Sequence, residues 1–362
     1  MNRLVLIGNG FDLAHGLPTA YQDFINWYWK QRILQLHNET TNVSDDPLCK
    51  LTMLQNDAWN LFVFNNNISL HESEGKDIYK YLVENKDLYK VENKYLFKRI
   101  HQSIENKGWV DIENDYYSLL CNRILPINGY TETHVKYINL QLEIIRDLLV
   151  KYLYKEEQKK FETKEEIKDK IYRPIMKNEI AVYNQKYSGY RLDDSSPSNI
   201  MLLNFNYTKT PELYLTKSSK VRINYIHGKL DKPGSVIFGY GDELDEDYKR
   251  LQKLNENEVL RHIKSIRYME SDNYRKLLEF IESEPFQICI MGHSCGSSDR
   301  TLLNTLFEHR NCISVKPYYY IKENGEDNYL DLSMNISRNF TDMKLMRDRV
   351  VTKPYCEPLT RQ

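Results

Sequence analysis

Several short polar segments hold the residue types that chemistry needs. Gly8-Asn9-Gly10-Phe11-Asp12 comes at the first turn of the chain. Glycines two apart let a ligand approach the backbone, and the start of a helix favours an anion. Asn204 and Asn206 stand two apart, so on a continuing strand they point the same way. An amide offers both a donor and an acceptor to a water or a ribose hydroxyl. His227 precedes Gly228 and suits a general base near neutral pH. Gly239-Tyr240-Gly241-Asp242, Gly292-His293-Ser294 and Asp299 complete the set. Each has a plainer use when taken singly. Asn is a common turn residue, a lone His is more often structural, and Asp299 after Ser297-Ser298 would favour a helix dipole.

Three other patterns are set aside. Gly292-His293-Ser294-Cys295-Gly296 has the Gly-x-Ser-x-Gly spacing of a nucleophile elbow. Its only following His, His309, lies near the end of the helix that would follow the elbow, several turns from the serine. Arg32 and His37 keep an Arg-x4-His spacing found in helical ribonucleases, but on an amphipathic helix where both types are ordinary. His293, Cys289, Cys295 and Cys312 make no zinc pattern, so no metal ligand is assigned. Asp12, Asp111, Glu113, Asp242 and Asp299 would build a magnesium site only if the fold collected them.

The segments matter because of where the elements place them. Residues 4–7 read as a buried strand running directly into the glycine turn. Thr19-Ala20-Tyr21-Gln22 then has capping-box spacing, with Thr19 as N-cap and Gln22 reaching back. From about residue 25 to 194 the chain reads as mostly helical, with helices over 21–36, 51–64, 109–124 and 137–161 and a polar loop over 40–47. Residues 155–170 are a mixed-charge run that reads as a solvated helical face. Residues 195–198 are linker-like. Strands follow over 200–204, 221–226, 236–238, 286–291 and 318–321, with helices over 257–281 and 299–309. Short apolar strands alternating with helices predict an α/β fold, a doubly wound, mainly parallel sheet covered on both faces. Residues 1–24 and 195–362 would form this core, and 25–194 a large helical insertion. The polar segments all follow strand C-termini, the edge where such sheets bind ligands.

The whole chain narrows the classes. Its 362 residues carry a net charge of −1, which gives no global pull toward nucleic acid or an anionic membrane. Six cysteines without a Cys-x-x-Cys pair, and no signal-peptide pattern, predict a reducing, cytoplasmic protein with free thiols. No apolar run is long enough for a membrane span.

Residues 4–19, Leu-Val-Leu-Ile-Gly-Asn-Gly-Phe-Asp-Leu-Ala-His-Gly-Leu-Pro-Thr, resemble the signature of the AbiH family of bacteriophage abortive-infection proteins. Trp109-Val-Asp111-Ile-Glu113 and the later polar segments fall in the expected order, so the resemblance spans nearly the whole chain. More distantly, the chain resembles the sirtuin superfamily. Gly8, Gly10, Gly16 and Pro18 keep the spacing of its opening motif. Asn204-Phe205-Asn206-Tyr207 is similar to its Thr-Gln-Asn segment, His227-Gly228 to its catalytic His-Gly, and Gly292 with Ser294 to its later Gly-x-Ser loop. The resemblance implies a Rossmann-like core that takes NAD as ligand or substrate, cleaved at the nicotinamide N-glycosidic bond. Asn206 would position water or the ribose, and His227 would activate that water or orient the ribose hydroxyls. Gly8, Asn9, Gly10, Phe11, Asn204, Gly292, His293, Ser294 and Asp299 would hold the nucleotide. The sirtuin zinc ribbon is absent, so protein deacylation and zinc are not expected. Asp12 stands where sirtuins have Ser, and Thr208 where they have Asp. Asp12 joins Asn206 and His227 as a catalytic candidate. It would contact a ribose hydroxyl, help hold a metal, or cap the turn. The expected partners are a small-molecule nucleotide and a phage-derived trigger, with a homo-oligomer left open and no membrane. Two alternatives stand beside this reading. One is a metal-dependent hydrolase or nuclease using magnesium with Asp12 and Glu113, the other a non-catalytic nucleotide sensor.

Overall fold

The computed structural model describes all residues except 39–41, 56–74, 108–110, 125–131, 182–188, 191, 194–195, 218–219, 323 and 362. Two compact units emerge. One comprises Met1–Pro18, Leu153–Arg250 and His262–Gln362, the other Thr19–Tyr152 and Leu251–Arg261.

The first unit is built on a five-stranded sheet. Its strands are β1 (Asn2–Ile7), β5 (Ile200–Asn204), β6 (Val221–Tyr225), β7 (Phe286–Met291) and β8 (Cys312–Tyr318). They lie in the order β6-β5-β1-β7-β8, and each neighbouring pair is parallel. Counted along the chain, the order is 3-2-1-4-5 and reverses at β1. Every residue of β1 is buried, because alternate side chains enter two different cores. Leu4 and Leu6 pack with Leu277, Phe280, Leu303 and Ile336, which belong to helices Asn273–Ser283, Arg300–Phe307 and Tyr329–Arg338. Val5 and Ile7 pack with Phe11, Ile167, Ile171 and Tyr214. Helices thus cover both faces, and the α/β class with a mainly parallel sheet stands.

Several elements differ from the sequence reading. The first helix, α1 (Asn9–Ala14), begins directly after Gly8, so the glycine turn is itself the helix start. α2 (Tyr21–Asn38) begins after Ala20, whose N–H donates to Asp23 Oδ2 at 3.0 Å. The reach-back carboxylate is therefore Asp23; Gln22 instead donates to Asn26. Residues 236–238 are no strand, although all three are buried. The final strand is β8, which starts six residues before the 318–321 that the sequence suggests. Its Lys316 and Pro317 disguise it, and Lys316 is buried on Glu179. The polar run 155–170 is not one solvated helix: helix Glu165–Tyr172 buries Ile167 and Ile171 against the sheet. That packing places residues 153–181 with the sheet, so the contact boundary falls near 152 where the sequence boundary lies at 194.

The second unit combines helices α2, Gly75–Glu84, Tyr95–Lys107 and Ile112–Ile124 with a small antiparallel sheet. Its strands are β2 (Val43–Asp45), β3 (Cys49–Met53) and β4 (Tyr89–Asn93). Strands β2 and β3 lie where the sequence suggested a loop and the start of a helix. An aromatic cluster fills part of its core, with Trp29 Nε1–H donating to His101 Nε2 at 3.1 Å. Burial lowers the His101 pKa to about 3, so the ring is a neutral acceptor. Trp109 and most of the expected helix over 51–64 lie outside the described residues, as does the His37 side chain. Among the described residues no helix is long and apolar enough to cross a membrane.

Candidate functional site

The reversal of strand order at β1 puts the C-terminal ends of β1, β5 and β7 side by side, with β6 beside β5. Open α/β sheets bind ligands outside such a reversal. Gly8–Asp12, Asn204–Thr208, His227 and Gly292–Asp299 all follow these ends within the first unit.

The glycines meet one another. Gly10 N–H donates to Gly292 O at 2.8 Å, and Phe11 N–H to Gly8 O at 2.9 Å. A methyl group on Gly8 would lie 2.6 Å from His293 Cα, and one on Gly292 would lie 2.1 Å from the Phe11 nitrogen. Gly292 also has φ +76°, a region that disfavours other residues. The turn after β1 and the turn after β7 are therefore in backbone contact. The space beside Gly8 and Gly10 is taken by the chain itself, and the Gly10 and Phe11 N–H groups already have acceptors.

On the β5 side the asparagines shape the turn. Asn204 is fully buried; its Oδ1 accepts from Asn206 N–H at 3.2 Å and its Nδ2 donates to Thr208 O at 2.9 Å. Asn206 is half-buried and donates from Nδ2 to Gly8 O at 2.9 Å. Among the described residues nothing donates to its Oδ1, which leaves this acceptor for a ligand. Asp12 is 1% exposed, and its Oδ2 accepts from Thr208 Oγ1 at 2.7 Å. Its Oδ1 is buried without a hydrogen-bond partner. Burial raises the Asp12 pKa to about 6, outweighing the Thr208, Thr210 and Asn206 side chains, and the Glu157 charge adds to the rise. Asp12 therefore titrates near neutrality. The neighbouring His15 ties the end of α1 down. Its Nδ1–H donates to Phe11 O at 2.7 Å and its Nε2 accepts from Tyr214 Oη at 2.6 Å.

The groups that follow β6 and β7 are charged. His227 is buried, and its Nδ1–H donates to Phe205 O at 3.1 Å, since a carbonyl only accepts. Its Nε2 lies 3.1 Å from Tyr268 Oη and 3.3 Å from Asp299 Oδ1. Burial, then the Lys264 charge, lowers the His227 pKa. Lys264, 1% exposed, donates to the same Asp299 oxygen at 2.9 Å. Lys264 and the His227 and His293 rings hold the Asp299 carboxyl well below the usual range despite its burial. His293 Nδ1 accepts from Cys295 N–H at 3.0 Å, so its proton is on Nε2, 3.7 Å from Asp299 Oδ2. Phe205 stands between the two imidazoles, with ring centroids 4.2 Å from His293 and 5.3 Å from His227. Further out, Asp242 accepts from Arg300 at 3.1 Å.

Ser294 is exposed and its carbonyl accepts from Asn335. His309 packs on Phe286, the first residue of β7, whereas Ser294 follows its last. A six-residue strand separates them, about 20 Å, so His309 does not serve the elbow. Asp111 and Glu113 belong to the second unit. Among the described residues no group of three His, Cys, Asp or Glu side chains is placed to hold a metal ion.

Sequence reasoning missed Lys264 and Tyr268. Read as one helix over 257–281, the stretch would put Lys264 on a polar face. It is instead broken into pieces, Asn257–Leu260, Lys264–Arg267, Tyr268–Glu270 and Asn273–Ser283, and this turns both side chains inward.

A family model described as bacteriophage abortive infection AbiH matches residues 4–320. No curated protein and no solved structure matches the chain.

Proposed function

The chain belongs to the AbiH family of bacteriophage abortive-infection proteins, and from that premise we propose that it is an antiphage effector with a sirtuin-like nucleotide site that hydrolyses NAD at the nicotinamide N-glycosidic bond. The observation that carries this reading is the convergence of four polar segments at the strand-order reversal, beside the open Oδ1 acceptor of Asn206. Asn206 is held by two hydrogen bonds and would orient the ribose or the attacking water. His227 would take a proton from that water once its Nε2 is free.

The two departures from sirtuins are reciprocal. A carboxylate stands where they have Ser, and a hydroxyl where they have Asp, and here Asp12 and Thr208 are hydrogen-bonded to each other. Asp12 is hydrogen-bonded to a hydroxyl, and its charge would be unfavourable beside a pyrophosphate. The groups suit the ribose end of NAD better than its phosphates. The glycine turn is closed on Gly292, so it has no cradle for a pyrophosphate until the two turns part.

Purified protein incubated with NAD, with and without extract of phage-infected cells, tests the reading. Nicotinamide release that Asn206→Ala abolishes supports it. No release under either condition overturns it, and NAD binding without release would favour the sensor.

A further inference from the structure

We propose that the segment 264–270 is an autoinhibitory latch, with Tyr268 as the group that closes the site by capping Nε2 of His227. The inference rests on the nucleotide-site reading above and names the regulation of that site. A general base needs a ring nitrogen with an exposed lone pair. His227 has none in this state. Its Nδ1–H is held by Phe205 O, and its Nε2 lies between Tyr268 Oη and the Asp299 carboxylate. The Tyr268 ring also lies parallel to the imidazole, 8° apart in plane, with centroids 6.0 Å apart. Only 3% of His227 is exposed.

The latch has the build of a movable piece. It consists of the single-turn helix Lys264–Arg267 and the short turn Tyr268–Glu270, and exposed Ser271 and Asp272 separate it from helix Asn273–Ser283. Its inward side is held by Lys264 on Asp299, by the Tyr268 hydroxyl on His227, and by the Tyr268 ring, which stacks on Tyr274 at the edge of the core with Leu277 and Phe280. Its outward side carries Met269, 81% exposed, and Ile266, 38% exposed. Apolar side chains in water contribute little to holding the segment down. A short segment outside the sheet opens at lower cost than the sheet itself.

Site-resolved carboethoxylation of the full chain with diethyl pyrocarbonate, followed by mass spectrometry, reads the accessibility of His227 without any substrate. Exposed His134 serves as the internal reference. In the wild type, His227 should label far more slowly than His134. Tyr268→Phe keeps the ring and its packing and removes only the hydroxyl; it should raise His227 labelling several-fold, of the order expected for one lost hydrogen bond. Tyr268→Ala should raise it further. Either of two results overturns the latch: wild-type His227 labelling as fast as His134, or His227 labelling unchanged in Tyr268→Phe and Tyr268→Ala alike. NAD turnover is then read on the same variants. Faster labelling with no nicotinamide release leaves the latch standing and overturns the NAD reading.

Discussion

Asp12 and Asp299 are the same residue type, buried in the same unit, each following a strand end of one sheet edge. Their chemistry is opposite. Asp299 has a buried ammonium at 2.9 Å and two imidazoles around it, and it stays ionised. Asp12 has a hydroxyl at 2.7 Å and no cation, and its pKa rises to about 6. Burial penalises the charge of both; the partner decides the outcome. The β5 side of the edge is thus a set of neutral hydrogen bonds that fixes Asn206. Lys264, Asp299 and His293 form a charge cluster that fixes His227.

The largest effect that separates the two sides is expected at Lys264. Lys264→Met strands the Asp299 carboxylate and should cost about 3–5 kcal/mol, read as a lower urea midpoint. A loss below about 1 kcal/mol would mean that the cluster is wetter than its burial implies.

Next comes the pH dependence of Asp12. Its folded pKa of about 6 lies above the ordinary 3.8, so the folded state holds the proton more tightly. Its contribution is fully present below the ordinary value, falls as pH rises through 6, and amounts to about 3 kcal/mol. Asp12→Asn should flatten stability across that window. Asp299 has the opposite sign: its contribution is present at neutral pH and lost only on strong acidification. If Asp12→Asn leaves the pH profile unchanged, the contrast between the two acids fails.

Smaller again is the Asp12–Thr208 contact. Thr208→Val removes the hydroxyl and should cost about 1–2 kcal/mol. The exchanged pair, Asp12→Ser with Thr208→Asp, should recover part of what each single change loses. A double-mutant cycle would show a coupling of about 1 kcal/mol. Strict additivity would show that the two positions do not act as a pair.

Much of this edge was legible in the sequence. Four of the five sheet strands were, because β1, β5 and β7 are short apolar runs, β6 alternates as Val-Arg-Ile-Asn-Tyr, and each leads into Gly, Asn or His. The strand β8 was hidden by Lys316, a charge whose partner Glu179 is remote in sequence. Asn204 turned out to brace its own loop, which its residue type alone suggested. Thr208 was visible only as an oddity, and its meaning needed Asp12 beside it. Lys264 and Tyr268 were illegible because their inward turn depends on a broken helix that apolar periodicity read as continuous. The glycines were correctly placed at a close approach. What approaches them here is the other glycine turn, and no local pattern tells a ligand from a neighbouring backbone.

The proposal that this edge hydrolyses NAD during infection can be tested in cells. The direct measurement is the cellular NAD pool through a phage infection, in cells carrying the wild type, Asn206→Ala or His227→Ala. The account predicts a fall in NAD with the wild type that both variants prevent, together with loss of protection. Full protection by the wild type with NAD unchanged would contradict it.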